Sequence, residues 1–399
     1  MAHVLFVVEA ALSRRNFERL GVACMVERDN RVTVVDVADV TMASITHNRD
    51  HYGSYEGFEI LVARSPKDLW EFLKTISHVD LIFCYLGGGN VTADNYSAHK
   101  FIARLNAPYL IVFSNAFPGW QRYRGEAGAF WTRIRDIAGR LGEIRLLNSI
   151  IARLPPRLLG VRAPRFLVVG GDSCAGFGTL VDPSTEYIRA HAMDFESYLE
   201  VEAAEYSETE TAVFIDEFLP FHPDLSMMGV GAPMEAEPYF ACLRALFDRI
   251  EDELGLRVVI AACPHGDYDK REDDFFGGRE VIFSKTAELV AKSRMVIAHR
   301  STAINFAVLF RKPVMITATR ETYEHNSQTP FLDAVAGSLG QTIQFFNQAG
   351  DVDLASSYEM DEGIYQQFVE DYIKSKISPS APFWDLVVNH VNDSGVAAI

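Results

Sequence analysis

The chain has few cysteines, and their arrangement excludes two kinds of protein. It carries five, with no C-x-x-C pair: Cys24, Cys84, Cys174, Cys242 and Cys263. An odd, scattered set forms neither a disulfide framework nor a structural zinc site, and it is typical of a reducing compartment. We therefore expect a cytoplasmic protein.

Long apolar runs and an excess of basic charge are also missing. The sequence has no stretch of about 18 uninterrupted apolar residues that could span a membrane. Its N-terminal run, MAHVLFVVEA, lacks the basic segment of a signal peptide and is typical of a first strand. The formal net charge is -17, whereas a general nucleic-acid binder needs a basic surface. We expect no nucleic-acid partner.

What the chain does contain is a globular composition and a repeated pattern of apolar runs. With 399 residues, 48% of them hydrophobic and 23% charged, it is long enough for two domains of roughly 150 to 200 residues. Ten short β-type runs alternate with helix-like segments, at residues 3–10, 31–37, 79–86, 108–114, 165–171, 211–219, 257–264, 280–284, 294–299 and 312–318. Such alternation predicts parallel sheets covered on both faces by helices.

Two series of this kind predict two Rossmann-like domains facing a cleft. An acidic stretch between residues 180 and 210 indicates the boundary. We assign residues 1–205 to the first Rossmann-like domain, 206–375 to the second and 376–399 to a helical tail that packs back on the first domain. Ligands of open parallel sheets bind beyond the carboxyl ends of the strands, so candidate site residues are sought there.

One strand end combines several polar side chains at the start of a helix. In IAHRSTAINFAVLFRKPVMI, an apolar run is followed by His299, Arg300, Ser301 and Thr302, and then by a helix that includes Asn305. Free backbone N–H groups and hydroxyls at such a position suit a phosphate. The alternative is that Ser301 or Thr302 only caps the helix.

Two further strand ends carry polar residues. The stretch ACPHGDYDKREDDFFGG places Pro264 and His265 after an apolar run, and Lys285 precedes the helical segment TAELVAKS. Lys285 could neutralise a phosphodiester. A polar surface loop and a solvated lysine are the alternatives.

These segments resemble a known family. The stretch KTAELVAKSRMVIAHRSTAINFAVLFRKPVMI is similar to the nucleotide-binding half of bacterial surface-polysaccharide glycosyltransferases of the GT-B type. Together with AVFIDEFLPFHPDL and IAACPHGDYD, it most resembles the bacterial β-Kdo transferases, over residues 210–320. The resemblance implies a CMP-β-Kdo donor, bound by residues 206–375 as the nucleotide-sugar-binding domain. It also implies a glycan acceptor, bound by residues 1–205 as the acceptor-binding domain, in lipopolysaccharide, O-antigen or capsule synthesis. The sequence departs from the family at Cys263, where a histidine is expected. Either His265 supplies that imidazole, or binding of the CMP phosphate depends on residues 299–302 instead.

Two carboxylates are candidates for catalysis. Asp216 ends the run TAVFID, and a strand-end carboxylate could act as nucleophile or base at an anomeric carbon, or could cap a loop. By the resemblance, Asp216 matches the carboxylate proposed to attack the sugar in a retaining double displacement. That scheme needs a general acid/base. Glu9 is our candidate, because a charge at the close of a buried first strand needs a reason.

A basic segment offers a second surface. Residues 122–165 contain ten arginines and three acidic residues, with aromatic residues between them. Such a segment could contact the anionic inner membrane or a lipid-linked acceptor, or it could be a helix pair on the sheet with its arginines in water.

Three other interpretations remain open at this stage. The donor could be a UDP- or GDP-sugar, the reaction could be the epimerisation of a sugar nucleotide, or the protein could bind nucleotide or glycan without catalysis. No convincing D-x-D motif follows a strand, so we expect neither a metal nor another cofactor.

Overall fold

A computed structural model describes most of the chain, namely residues 1–43, 47–50, 52–87, 90–119, 156–174, 180–204, 206–222, 231–264, 266, 268, 274–325 and 329–399. These residues form two compact units. The first contains the described residues of Met1–Ser114, Gly125–His191 and Ile377–Ile399, and the second those of Asn115–Arg124 and Ala192–Lys376. No helix of the described residues is long and apolar enough to cross a membrane.

The first unit is built on a seven-stranded sheet in the order β3-β2-β1-β4-β5-β6-β7. Its strands are β1 His3–Val8, β2 Arg31–Asp36, β3 Phe58–Val62, β4 Leu81–Tyr85, β5 Tyr109–Phe113, β6 Phe166–Val169 and β7 Glu186–Arg189. Its helices before the tail are α1 Arg14–Arg19, α2 Val22–Glu27, α3 Ala38–Thr41, α4 Pro66–Thr75 and α5 Tyr96–Leu105. All strand pairs are parallel.

The second unit has a six-stranded sheet in the order β10-β9-β8-β11-β12-β13. Its strands, again all parallel, are β8 Thr211–Ile215, β9 Arg257–Ala261, β10 Val281–Ile282, β11 Met295–Ala298, β12 Val314–Ala318 and β13 Gln344–Phe345. Its helices are α6 Met193–Ala203, α7 Ala236–Leu254, α8 Thr286–Lys292, α9 Ile304–Leu309, α10 Arg320–Glu324, α11 Thr329–Ser338 and α12 Glu362–Phe368. A π-helical turn, Val369–Ile373, follows α12.

Apolar layers cover both faces of this second sheet. One layer packs α6, α8, α9, α11 and α12 on it, and the other is formed largely by α7. The central strands β8, β11 and β12 are buried along their whole length because helices lie on both sides. This explains their continuous apolar runs, and the predicted α/β class is confirmed.

The C-terminal helix α13, Phe383–Asp393, belongs to the first unit. Trp384 lies 5.9 Å from the ring of Phe83 and lies over Gly21, where an added Cβ would meet the indole at 2.8 Å. Asp385 pairs with Arg28, which follows α2. The tail therefore packs on the first unit, while α12 stays in the second.

The boundary between the units differs from the one expected from the sequence. In the region of the acidic stretch, the chain crosses from the first unit to the second between His191 and Ala192, whereas the sequence predicted this boundary at residue 205. The difference is helix α6, which packs on α8 and α9 and therefore belongs to the second unit. Its Asp194 accepts a hydrogen bond from Asn305 of α9 at 2.9 Å.

Candidate active site

The strand order locates the candidate site in the second unit. The first strand of its sheet, β8, leads to β9 on one side, and β11 is paired on the other. In doubly wound sheets, ligands bind beyond the carboxyl ends of the strands at this point of reversal. The residues that follow these two strands are Asp216 and Glu217 after β8, and His299 and Arg300 after β11.

A carboxylate and a guanidinium bridge the two strand ends. Glu217 accepts the backbone N–H of Arg300 at 2.6 Å, and its other oxygen lies 4.0 Å from Nε of Arg300. That Nε is buried and has no hydrogen-bond acceptor among the described residues. The guanidinium lies 5.5 Å from the ring centre of Phe331, and 33% of the Arg300 side chain is exposed. The pair thus offers a partly exposed cation with an unused donor.

Asp216 is held more tightly and is almost fully buried. One carboxylate oxygen accepts the backbone N–H of Phe218 at 2.9 Å. The other accepts the N–H of Cys263 at 3.2 Å and the hydroxyl of Tyr268 at 2.7 Å. Burial raises the pKa of Asp216 to about 6 despite these three donors, because desolvation disfavours the charged form.

The loop after β8 is strained around this carboxylate. Phe218 has a φ of 51°, a left-handed conformation that costs a side chain with a Cβ about 1–2 kcal/mol. The hydrogen bond from its N–H to Asp216 and its edge-on contact with Tyr268, at 5.0 Å between ring centres, hold it there. Asp216 is therefore the centre of the loop's hydrogen bonding.

His299 was predicted to bind phosphate, but its ring nitrogens already have protein partners. Nε2 bonds the hydroxyl of Tyr239 at 2.7 Å, and Nδ1 lies 2.7 Å from the carbonyl oxygen of Thr317. The ring is buried and stacks on Phe346 at 5.8 Å. Burial also lowers the pKa of His299, so the imidazole is neutral. This geometry fits a core histidine that joins α7 to β12 better than it fits a phosphate ligand.

The other predicted residues of this loop have different surroundings. Ser301 accepts the N–H of Ala303 at 3.2 Å through its hydroxyl oxygen, as a cap does, and its O–H can still donate. Thr302 is exposed. Asn305 is buried, and its amide donates to Asp194. Ser301 and Thr302 thus stay available beside Arg300, whereas Asn305 is engaged in packing.

The strand ends after β9 and β10 contribute less. Pro264 lies in an exposed turn, and Lys285 is the exposed residue that precedes α8. The predicted catalytic residue His265 lies outside the described residues, as does most of the arginine-rich segment 122–165. Among the described residues, no group of three or more His, Cys, Asp or Glu side chains could hold a metal ion.

Glu9 occupies the matching place in the first unit. It follows β1, and its carboxylate accepts the N–H of Gly87, which follows β4, at 2.7 Å. In this sheet β1 and β4 flank the point of reversal, as β8 and β11 do in the second. Burial raises the pKa of Glu9. The two sheets thus share one arrangement. In each, a carboxylate that follows the first strand accepts a hydrogen bond from a backbone N–H that follows the neighbouring strand.

Three polar residues that the sequence did not lead us to expect make contacts at or beside strand ends. Two of them are Glu217, which directly follows Asp216, and Tyr268, which lies in the polar stretch after β9. In the first unit, Asp36 ends β2 and accepts hydrogen bonds from Arg49 at 2.7 Å and Tyr52 at 2.6 Å. Asp36 is a charged residue at the end of an apolar run, as Glu9 is. The same reasoning that selected Glu9 would therefore have identified Asp36.

Comparison with known proteins identifies the fold. No protein-family model matches the chain, and no curated protein matches its sequence. Similar solved structures include the S. aureus MnaA–UDP co-structure, with a TM-score of 0.54, 12% identity, and 100% of this chain and 98% of that chain covered. CalG4, the calicheamicin glycosyltransferase, has a TM-score of 0.53 at 12% identity, with 93% of each chain covered.

The Arabidopsis thaliana UGT89C1 structure complexed with UDP is also similar, with a TM-score of 0.50 and 9% identity. The alignment covers 98% of this chain and 99% of that chain. At such low identities these likenesses show the fold alone. The chain has the two-domain, Rossmann-like GT-B fold.

Proposed function

We propose that the protein is a glycosyltransferase that uses a nucleotide-sugar donor, with the donor phosphate bound beside Arg300. The observation that carries this proposal is the Glu217–Arg300 pair at the point of reversal of the second sheet, where the buried Nε of Arg300 keeps a free donor. An arginine in this position suits a phosphate, because the guanidinium can donate two parallel hydrogen bonds. Two similar structures contain UDP, which supports the same class of ligand.

The donor we propose is CMP-β-Kdo, and the acceptor is a glycan of lipopolysaccharide or capsule. This assignment depends on the resemblance of residues 210–320 to the β-Kdo transferases. No metal is needed in this scheme, since Arg300 and the hydroxyls of Ser301 and Thr302 would receive the phosphate. A UDP- or GDP-sugar transferase, an epimerase and a non-catalytic binder are the competing functions.

For the chemical step we propose retention through a carboxylate nucleophile. Asp216 would attack the anomeric carbon as the bond to the CMP oxygen breaks, and CMP would leave with the electron pair. The acceptor hydroxyl would then displace the carboxylate and give its proton to a general base, for which Glu9 is the candidate. Both oxygens of Asp216 already accept hydrogen bonds, which limits their attack. Its neighbour Glu217, with 13% of its side chain exposed, is the second candidate nucleophile.

The test is nucleotide binding by calorimetry with CMP, UDP and GDP. We expect CMP to bind most tightly and Arg300→Lys to weaken it strongly, because an ammonium cannot reproduce the planar, paired donors. Arg257→Lys is the matched control. Arg257 is the first residue of β9 and thus lies at the amino ends of the strands, whereas the candidate site lies at their carboxyl ends. Equal CMP affinity in Arg300→Lys and wild type would remove Arg300 from the site. Release of CMP in the presence of an acceptor would distinguish an enzyme from a binder.

We also propose that the enzyme works in the cytoplasm at the inner face of the membrane, where lipid-linked acceptors are available. The arginines of residues 122–165 would provide the contact, at about 1 kcal/mol for each basic side chain near an anionic surface. Wild-type protein should therefore co-sediment with anionic liposomes at low salt and not with neutral ones. Equal sedimentation with both kinds of liposome would refute this contact.

A further inference from the structure

The second unit has a cavity that the donor site does not use. It has a volume of about 530 Å³ and lies between α10, α11 and the strand β13. This volume is within the range of small-molecule sites, roughly 300–1,000 Å³. None of the residues assigned above to donor binding or catalysis lines it.

One wall of the cavity is a stack of flat groups. The guanidinium of Arg320 lies 4.8 Å from the ring centre of Phe345, and Tyr323 meets the same ring edge-on at 5.3 Å. Each of these side chains restricts the others, so the surface is largely preformed. Such a surface suits the C–H face of a pyranose ring, which is apolar although the ring edge carries hydroxyls.

The remaining lining combines the apolar side chains of Ala336 and Ile343 with polar groups that are on balance acidic. Asp333 accepts the hydroxyl of Tyr323 at 3.0 Å, which joins α11 to α10. Glu324 and Gln341 also line the cavity, so carboxylate acceptors and an amide face one guanidinium. Two acids against one arginine disfavour a phosphate or another anion. The charged and amide side chains also disfavour a purely apolar ligand, because they would lose water without gaining partners.

A glycine leaves part of the cavity lining without a side chain. Gly337 is an exposed residue of α11, and a Cβ added there would meet nothing within 4 Å. Glycine within a helix destabilises it relative to alanine, because it loses more backbone entropy on folding. The helix itself therefore gains nothing from this residue, and the lining has room for a larger side chain at this position.

From these features we infer that the cavity is a second binding site, for a neutral, hydroxyl-rich saccharide unit. It is separate from the donor phosphate site, and it would hold a sugar residue of a glycan through ring stacking on Phe345 and Tyr323. Hydrogen bonds to Asp333, Glu324 and Gln341 would orient the hydroxyls.

Saturation-transfer difference NMR tests this site. The probes are the methyl glycosides of glucose, galactose, mannose and N-acetylglucosamine, each added at millimolar concentration to the full chain. Wild type should transfer saturation to at least one of them. Gly337→Phe should abolish that signal, because its ring would fill the cavity. Gly350→Phe is the matched control, at an exposed glycine outside the cavity that also has open space, and it should keep the signal.

Two outcomes overturn the inference: no transfer to any of the four glycosides in wild type, or an undiminished signal in Gly337→Phe. If Gly337→Phe fails to fold by circular dichroism, Asp333→Ala replaces it. That exposed substitution should reduce the signal by removing an acceptor, and an unchanged signal would again contradict the site. Arg300→Lys should leave the saccharide signal intact while it loses CMP, so failure of the donor proposal and failure of this one are distinguishable.

Discussion

Replacing Asp216 by asparagine separates a buried structural carboxylate from a nucleophile. The native carboxylate accepts three hydrogen bonds, from two backbone N–H groups and the hydroxyl of Tyr268. An amide has one acceptor oxygen, so its NH₂ group must face the N–H of either Phe218 or Cys263. One buried donor is then left unpaired, at a cost of about 1–3 kcal/mol.

This cost should depend on pH, with a sign fixed by the pKa of Asp216. Burial raises that pKa from 3.8 to about 6 in the folded protein. The folded state thus binds more protons than the unfolded state between these values, and stability present below pH 4 is lost as the pH rises through 6. A pKa change of this size corresponds to about 3 kcal/mol. Asparagine does not titrate. The difference in unfolding free energy between wild type and Asp216→Asn should therefore shrink by about that amount as the pH rises from 4 to 7.

Hydrogen exchange measured by mass spectrometry on peptides from β8 and β9 reports on this unit separately. The exchange-derived free energies of wild type and Asp216→Asn should approach each other as the pH rises from 4 to 7. Parallel pH profiles would show that Asp216 titrates as an exposed acid and would refute the reasoning from burial. In the same preparations, turnover with CMP-Kdo should fall by orders of magnitude if Asp216 is the nucleophile. Near-normal turnover would instead leave Glu217 as the candidate.

Three other substitutions test separate parts of the molecule. Alanine at both Ser301 and Thr302 should weaken CMP binding in calorimetry and lower the melting temperature only slightly. Each hydrogen bond to a charged phosphate contributes about 1.5–3 kcal/mol, whereas a helix cap contributes about 1 kcal/mol. Unchanged CMP binding with a lowered melting temperature would make the pair a helix cap only. Glu217→Gln should tighten CMP binding, because the neutral amide no longer competes for the neighbouring guanidinium, and weaker binding would contradict this. Gly21 has a φ of 84°, and the Cβ of Gly21→Ala would lie 2.8 Å from the indole of Trp384. This substitution should destabilise the first unit by more than about 1–2 kcal/mol in urea unfolding. Gly53→Ala, where an added Cβ meets nothing within 4 Å, should not.

The sequence allowed the central strands and one edge strand, β10, to be predicted, but not the other three edge strands. All ten predicted runs contain strands, and three strands were missed: β3, β7 and β13. Each of the three lies at an edge. An edge strand is covered less completely and keeps polar residues, as in EYIR of β7, so it lacks the continuous apolar run that identifies a buried strand.

For the candidate site, the sequence identified strand ends but not how the side chains there are used. It placed His299 and Asp216 correctly at the ends of buried strands. It could not show that Tyr239 and Tyr268, which lie 60 and 52 residues away along the chain, bond to them. These contacts depend on the packing of α7 and of the loop after β9. Such long-range hydrogen bonds leave no pattern in the neighbouring sequence. A histidine whose two ring nitrogens are hydrogen-bonded and a histidine with unbonded nitrogens are the same letter there.

The position of α13 has a consequence for the order in which the protein folds as it is synthesised. The indole of Trp384 covers Gly21, and Asp385 pairs with Arg28, so the first unit includes residues that are synthesised after the whole second unit. The second unit, whose described residues end at Lys376, has its full set of strands earlier. Domains of a nascent chain usually fold from the N-terminus onward. Here the apolar surface around Gly21 and Phe83 gains its cover from Trp384 only after the second unit has been synthesised.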